Sequence, residues 1–223
     1  MKIKALLLDM DGTILNTEKI WNMSIKYANN HFGVSVPNDF YINNIGTTAQ
    51  QKYEKLQPFL NCKNLSAEDY CNYQREWKKN HIKENGLSVR KGFEDLLSYA
   101  KTNGMKIALV TSSNKETIIF NFKYAKLNLS LFDCIVTGDE VLNTKPDAEP
   151  YKTAMKNLKI KNSCCVAVED SNIGLCSALN AKVRAVFAKG TSILNNKLTD
   201  KICLQIDDFY QLLNWIKSEN ESN

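Results

Sequence analysis

From residue 87 onward, short apolar runs rich in β-branched residues alternate with longer segments whose apolar positions recur at helical spacing. The runs at 107–110, 134–137, 164–168, 183–187 and 202–206 predict strands, and the segments at 93–102, 115–126, 150–158, 173–180 and 209–218 predict helices between them. Residues 3–8 supply one more strand at the start of the chain. Strands that alternate with helices imply an α/β fold, with a mostly parallel sheet covered by helices on both faces.

Residues 17–86 break this rhythm. Their periodicity predicts helices at 18–32, 48–60 and 67–83 and no strand, and Ser66 with Asp69 three positions on approximates a helix-capping pair. The expected organisation is a core domain of residues 1–16 and 87–223 with an all-helical cap domain of residues 17–86 inserted between its first two strands. The hinges are expected at Asn16 and Thr17 and within 86–91.

Composition narrows the function classes. With 223 residues, 43% of them hydrophobic and 24% charged, the chain is expected to bury a core as a globular protein. Its apolar runs are far shorter than the ~20 residues of a membrane span. The N-terminal run meets two aspartates too early for an export signal, so we expect a cytoplasmic protein without membrane contact. Seven cysteines occur without a C-x-x-C pair, which argues against a disulfide framework or a zinc site. The net charge of +5 is spread along the sequence without a basic stripe, so no nucleic-acid partner is expected.

In open parallel sheets, ligands bind beyond the carboxyl ends of the strands. The first predicted strand ends in Asp9 and Asp11, two residues apart and so on one face if the strand continues through them. The second ends in Thr111 and Ser112, a later one in Glu169 and Asp170, and Lys145 follows the third. Carboxylates gathered at one edge need a compensating charge, for which a divalent cation with a phosphate group is a candidate.

Four segments in this order, "DMDGT" at 9–13, "TSS" at 111–113, Lys145 before Pro146, and "VEDSNIG" at 168–174, resemble the motifs of the haloacid dehalogenase superfamily of phosphohydrolases. Within it, the chain is similar to the β-phosphoglucomutase-like and sugar-phosphate phosphatase branch, whose Rossmann-like core carries a helical cap between its first two strands. The resemblance implies that Asp9 is the nucleophile and Asp11 the general acid and base. It implies that Gly12 turns the chain so that backbone N–H groups at Met10 and Asp11 face the phosphate, while Thr111 and the Ser112 backbone bind its oxygens. Lys145 would neutralise charge, and Mg²⁺ would be held by Asp9, the Asp11 carbonyl, Asp170 and Glu169. Ser113 and Asn114 are expected to cap the next helix. The family's proline is replaced by Ala148, a departure that bears on the loop.

The same resemblance implies that the cap contributes to substrate recognition, with Thr17, Trp21, Gly46 and Thr47 as candidate contacts. Trp21 stands where β-phosphoglucomutase carries a histidine, which favours phosphatase over mutase. The expected activity is Mg²⁺-dependent hydrolysis of a small phosphorylated metabolite, a sugar or sugar-alcohol phosphate, by a monomer. A phosphomutase, or a phosphatase of pseudouridine or nucleoside monophosphates, is the alternative. His31 and His81, the two histidines of the chain, are expected to pack rather than react.

Overall fold

The computed structural model describes residues 2–40 and 49–222, and the chain divides into two compact units, Met1–Asn16 with Leu87–Asn223 and Thr17–Gly86.

The first unit is built on a six-stranded, all-parallel sheet of β1 (Ala5–Leu8), β2 (Lys106–Val110), β3 (Cys134–Val136), β4 (Cys165–Glu169), β5 (Arg184–Ala188) and β6 (Leu204–Ile206), in the order β3-β2-β1-β4-β5-β6. The predicted α/β fold is therefore present, and every predicted strand is found within a few residues. Successive side chains of a strand face opposite sides of the sheet, so each central strand buries both faces and reads as a continuous apolar run. Ala5, Leu7, Ala108, Val110 and Ala167 pack against α6 (Glu149–Leu158) and α7 (Asn172–Asn180), where Tyr151, Ala154, Leu175 and Ala178 complete that layer. Helices α4 (Phe93–Thr102) and α9 (Phe209–Glu221) pack against each other through Phe93 and Phe209, with ring centroids 5.4 Å apart.

Helix starts follow local chemistry. A side-chain oxygen of Asn114 accepts from the Thr117 N–H at α5 (Lys115–Tyr124), that of Ser171 from Gly174 at α7, and that of Asp208 from Gln211 at α9. Asn114 alone is the cap of α5; Ser113, expected to share that role, is engaged elsewhere. A short helix, α8 (Asn196–Thr199), gives no periodic signal at four residues and was not expected.

The second unit contains, among its described residues, helices and no strand: α1 (Thr17–Phe32), α2 (Ala49–Leu56) and α3 (Ala67–Asn85). The helix predicted at 48–60 ends at Leu56 and continues as a 3₁₀ turn over Gln57–Phe59, because Pro58 lacks the N–H that an α-helix needs. Ser66 caps α3 by accepting from the Asp69 N–H at 3.0 Å. The core of this unit is Ile25, Ala28, Leu56, Leu60 and Tyr70, with the Tyr70 hydroxyl donating to the Asn29 carbonyl oxygen Oδ1 at 2.7 Å. Rings stack between α1 and α3: Tyr27 on Trp77 at 4.5 Å and His31 on Tyr73 at 4.3 Å, while His81 stacks on Trp77 at 4.9 Å. Both histidines are thus packing residues.

Candidate active site

Strand register brings the first groups together. Leu8 pairs with Leu109 on one side and with Val168 on the other, so the next residues, Asp9, Val110 and Glu169, stand level at the carboxyl edge of three adjacent strands. Lys145 enters this row from the loop after β3. Its ammonium donates to Asp9 Oδ1 at 2.7 Å, to Glu169 Oε1 at 2.5 Å and to the Val110 carbonyl at 2.8 Å. All three of its N–H bonds are used. The Tyr151 hydroxyl, fully buried on α6, donates to the same Glu169 oxygen at 2.6 Å.

These groups have left water. Asp9, Lys145 and Asp170 are each 7% exposed and Glu169 is 1% exposed. Burial by itself lowers the Lys145 pKa, but the charges of Asp9 and Glu169 and the hydrogen bonds to them outweigh it, and the ammonium is held protonated above its ordinary range. Burial pushes Glu169 upward, with the Asp9 charge adding and Lys145 opposing. Tyr151 is raised by burial and by the neighbouring carboxylates, so it keeps the proton that it donates.

The loop after β1 is shaped by hydrogen bonds at both ends. Asp9 N–H donates to the Val168 carbonyl, and Ile14 and Leu15 N–H both donate to the Met10 carbonyl. Gly12 adopts a φ of 78°, a left-handed conformation that costs glycine nothing, and its N–H donates to the Leu15 carbonyl at 2.8 Å. The strand itself ends at Leu8, so the pleat that was expected to put Asp9 and Asp11 on one face does not reach them. Asp11 is held separately: the Ser113 hydroxyl donates to its Oδ2 at 2.9 Å. Ser113 thus contacts the candidate site through Asp11, and Thr111 completes the arrangement by accepting the Ser113 N–H on its Oγ1 at 3.1 Å, which leaves its hydroxyl proton to donate.

Oxygen atoms of Asp9, Glu169 and Asp170 lie within 4.8 Å of one another. Three carboxylates cluster and two of them share one lysine, and such a hard-oxygen set fits a divalent cation of the magnesium or calcium type. Glu169 is the member most occupied by protein hydrogen bonds. The Asp11 side chain is outside this cluster.

Several contributors have supporting roles that only the structure shows; Gly174 and Thr13 stand inside the quoted motifs, Gly138 and Arg90 outside them. Gly174 is one: a Cβ there would come 1.9 Å from Glu169 Oε2. Gly138 is another, since a Cβ would come 2.2 Å from the Ser112 carbonyl oxygen, so the loop after β3 backs directly onto the Thr111–Ser113 segment. Thr13 is fully buried, with a long 3.5 Å contact to Asp170 Oδ1. Arg90 is buried in the segment read only as a hinge, and its guanidinium donates to the carbonyls of Gly12, Lys189 and Asp207. In the helical unit, Thr17 opens α1 and is buried, and the Lys78 ammonium lies over the Trp21 ring. Gly46 and Thr47 lie outside the described residues.

Residues 6–188 match the family described as haloacid dehalogenase-like hydrolase. The chain is 31% identical over 204 residues to YhcW of Bacillus subtilis, named for a phosphatase activity, covering 91% of this chain and 88% of that protein. It is 30% identical over 225 residues to PpaX of Caldanaerobacter subterraneus, named for a pyrophosphatase activity, covering 99% and 98%. A Thermotoga maritima crystal structure named for β-phosphoglucomutase superposes with a TM-score of 0.79 at 24% identity, over 98% of this chain and 99% of that one, a likeness of fold. The chain belongs to the haloacid dehalogenase-like hydrolase family, among its phosphoric monoester hydrolases.

Proposed function

We propose that the protein is a Mg²⁺-dependent phosphatase of a small phosphorylated metabolite, a sugar or sugar-alcohol phosphate, and that it works through an aspartyl-phosphate on Asp9. The observation that carries this reading is the buried Asp9 carboxylate, paired with Lys145 at 2.7 Å and clustered with Glu169 and Asp170. A carboxylate so placed is anchored on one oxygen by Lys145.

An Asp9 oxygen attacks phosphorus, the ester P–O bond breaks, and the leaving alcohol takes a proton from Asp11. Water then attacks the acyl phosphate, giving its proton back to Asp11 and releasing phosphate. The Ser113 hydrogen bond orients Asp11 for both transfers. Lys145, the Thr111 hydroxyl and the backbone N–H groups of Met10, Asp11 and Ser112 offset charge on the phosphoryl oxygens. Mg²⁺, held by Asp9, the Asp11 carbonyl and Asp170, with Glu169 in support, would supply positive charge to the phosphoryl group. Thr17 and Trp21 are assigned to substrate selection, together with Gly46 and Thr47. We further assign the molecule to the cytoplasm, as a monomer without nucleic-acid or membrane partners in this activity.

The test is phosphate release from a panel of sugar, sugar-alcohol and nucleoside monophosphates, with and without Mg²⁺, in the native protein and in Asp9→Asn. Turnover that requires both the metal and Asp9 is expected. A folded protein that binds Mg²⁺ yet hydrolyses none of the panel would refute the phosphatase reading. Transfer of phosphate to a second hydroxyl through a bisphosphate, with little free phosphate, would replace it by the mutase.

A further inference from the structure

We infer that the edge of the sheet opposite Asp9 holds a second binding site, for a ligand carrying a short chain of linked phosphate groups. All strands run parallel, so the segments entering them gather at the amino edge, away from the catalytic candidates. A cavity of about 630 Å³ opens there, beside the carboxyl ends of α6 and α7. Lys152, Lys156, Lys159, Lys161 and Lys182 line it, and no carboxylate does. All five are exposed, and among the described residues none enters an ion pair.

The charge is not explained by the two helix ends. Each helix C-terminus carries roughly −0.5 charge, so α6 and α7 together offset about one of the five ammonium groups. The remaining surplus, about four charges, approaches the net +5 of the whole chain. Lysine ammonium groups are point charges that suit tetrahedral phosphate without demanding one orientation. The hollow is shallow and open to solvent, which suits a compact polyanion held by charge with part of its hydration kept. Its floor is Met155, Ile160 and Ala181, and Ile160 also lines a neighbouring cavity of about 830 Å³ that Lys2, Lys4 and Lys217 face with one carboxylate, Glu221, beside Lys106, which is paired with Asp133. Residues scattered from position 2 to 217 in the sequence thus form one basic face. β4 separates this face from Glu169 by roughly 15 Å, at about 3.3 Å per residue.

The experiment is calorimetric titration of inorganic tripolyphosphate into the metal-free protein. The variants are Lys156→Gln/Lys159→Gln/Lys182→Gln and a control, Lys55→Gln/Lys79→Gln/Lys83→Gln, in the helical unit. Saturable binding to the native protein is expected, weakened on the order of ten- to a hundredfold in the first variant and less than about threefold in the control, with phosphatase turnover kept in both. Adenosine triphosphate bound equally well assigns the recognition to the phosphate chain alone, and tighter nucleotide binding through the same lysines assigns the source to nucleotides. Binding that is absent, unchanged in the first variant or equally weakened in the control overturns the site. So does a short oligothymidylate that binds more tightly than tripolyphosphate through these lysines, which would make the face a nucleic-acid surface. None of these outcomes depends on which phosphate ester is hydrolysed at Asp9.

Discussion

Glu169 occupies the space where any side chain at position 174 would begin, and it cannot retreat freely because Lys145 and Tyr151 hold its Oε1 at 2.5 and 2.6 Å. A Gly174→Ala substitution must therefore move a buried, doubly bonded carboxylate or the start of α7. We predict a loss of about 1–3 kcal/mol in stability, as for other overpacked sites, measured by urea unfolding, with a drop of at least about tenfold in Mg²⁺-dependent kcat. Wild-type turnover in Gly174→Ala would mean that the position of Glu169 is unimportant to the chemistry. At this scale the sequence is informative about reacting groups and poor about their supports. Asp9, Lys145 and Asp170 stand at recognisable spacings, and Gly174 and Thr13 lie inside the same motifs, but what these two support, like the place of Gly138 outside any motif, depends on atoms that touch them from 5 to 157 positions away.

At the scale of elements, Arg90 links the loop after β1 to the segments that follow β5 and β6, through the carbonyls of Gly12, Lys189 and Asp207. Replacing it by methionine keeps bulk but leaves those carbonyls without their charged donor. Arg90→Met should cost on the order of 2–4 kcal/mol, and Arg90→Lys should recover less than half, because an ammonium cannot reproduce the planar fork. Denaturant midpoints of the two variants decide this. A second tie joins the start of β2 to the segment before β3: Asp133 accepts from the Lys106 ammonium at 2.7 Å and from the Ile107 N–H at 2.9 Å. Burial favours the neutral acid there, but these two hydrogen bonds and the lysine charge outweigh it and lower the Asp133 pKa. The folded value lies below the unfolded one, so the tie contributes fully above the ordinary aspartate pKa of about 4 and fades as pH falls through the lowered value. The stability gap between wild type and Asp133→Asn should thus be open at pH 7 and closing as pH falls below the ordinary aspartate range of about 4. A gap independent of pH would show that the carboxylate charge contributes nothing.

On the scale of the whole molecule, two compact units make a single unfolding transition unsafe to assume. A ligand that binds the folded state and not the unfolded one stabilises it by about 2.7 kcal/mol at a hundredfold excess over its dissociation constant. Mg²⁺ is predicted to raise the calorimetric midpoint of the sheet unit, and Asp170→Asn to abolish that rise. An equal rise in the variant would place the metal elsewhere. No described helix is long and apolar enough to cross a membrane.

The sequence by itself determined the alternation of strands and helices, the helical character of the segment after β1, and the motif residues of the hydrolase family, because periodicity, capping and short loops are local properties of a chain. It also placed Asp9, Thr111 and Glu169 at one edge of the sheet, since a parallel sheet puts every strand's carboxyl end on the same side. Tertiary structure alone decided which group each side chain meets. Register set Asp9 level with Val110 and Glu169 so that one ammonium could span them, and the ends of β1 and α5 gave Asp11 to Ser113. It also gathered the lysines of 152–161 with Lys182 and with lysines near both ends of the chain into a basic face on the opposite edge, because residues far apart along the chain become neighbours only when the strands they precede are laid side by side.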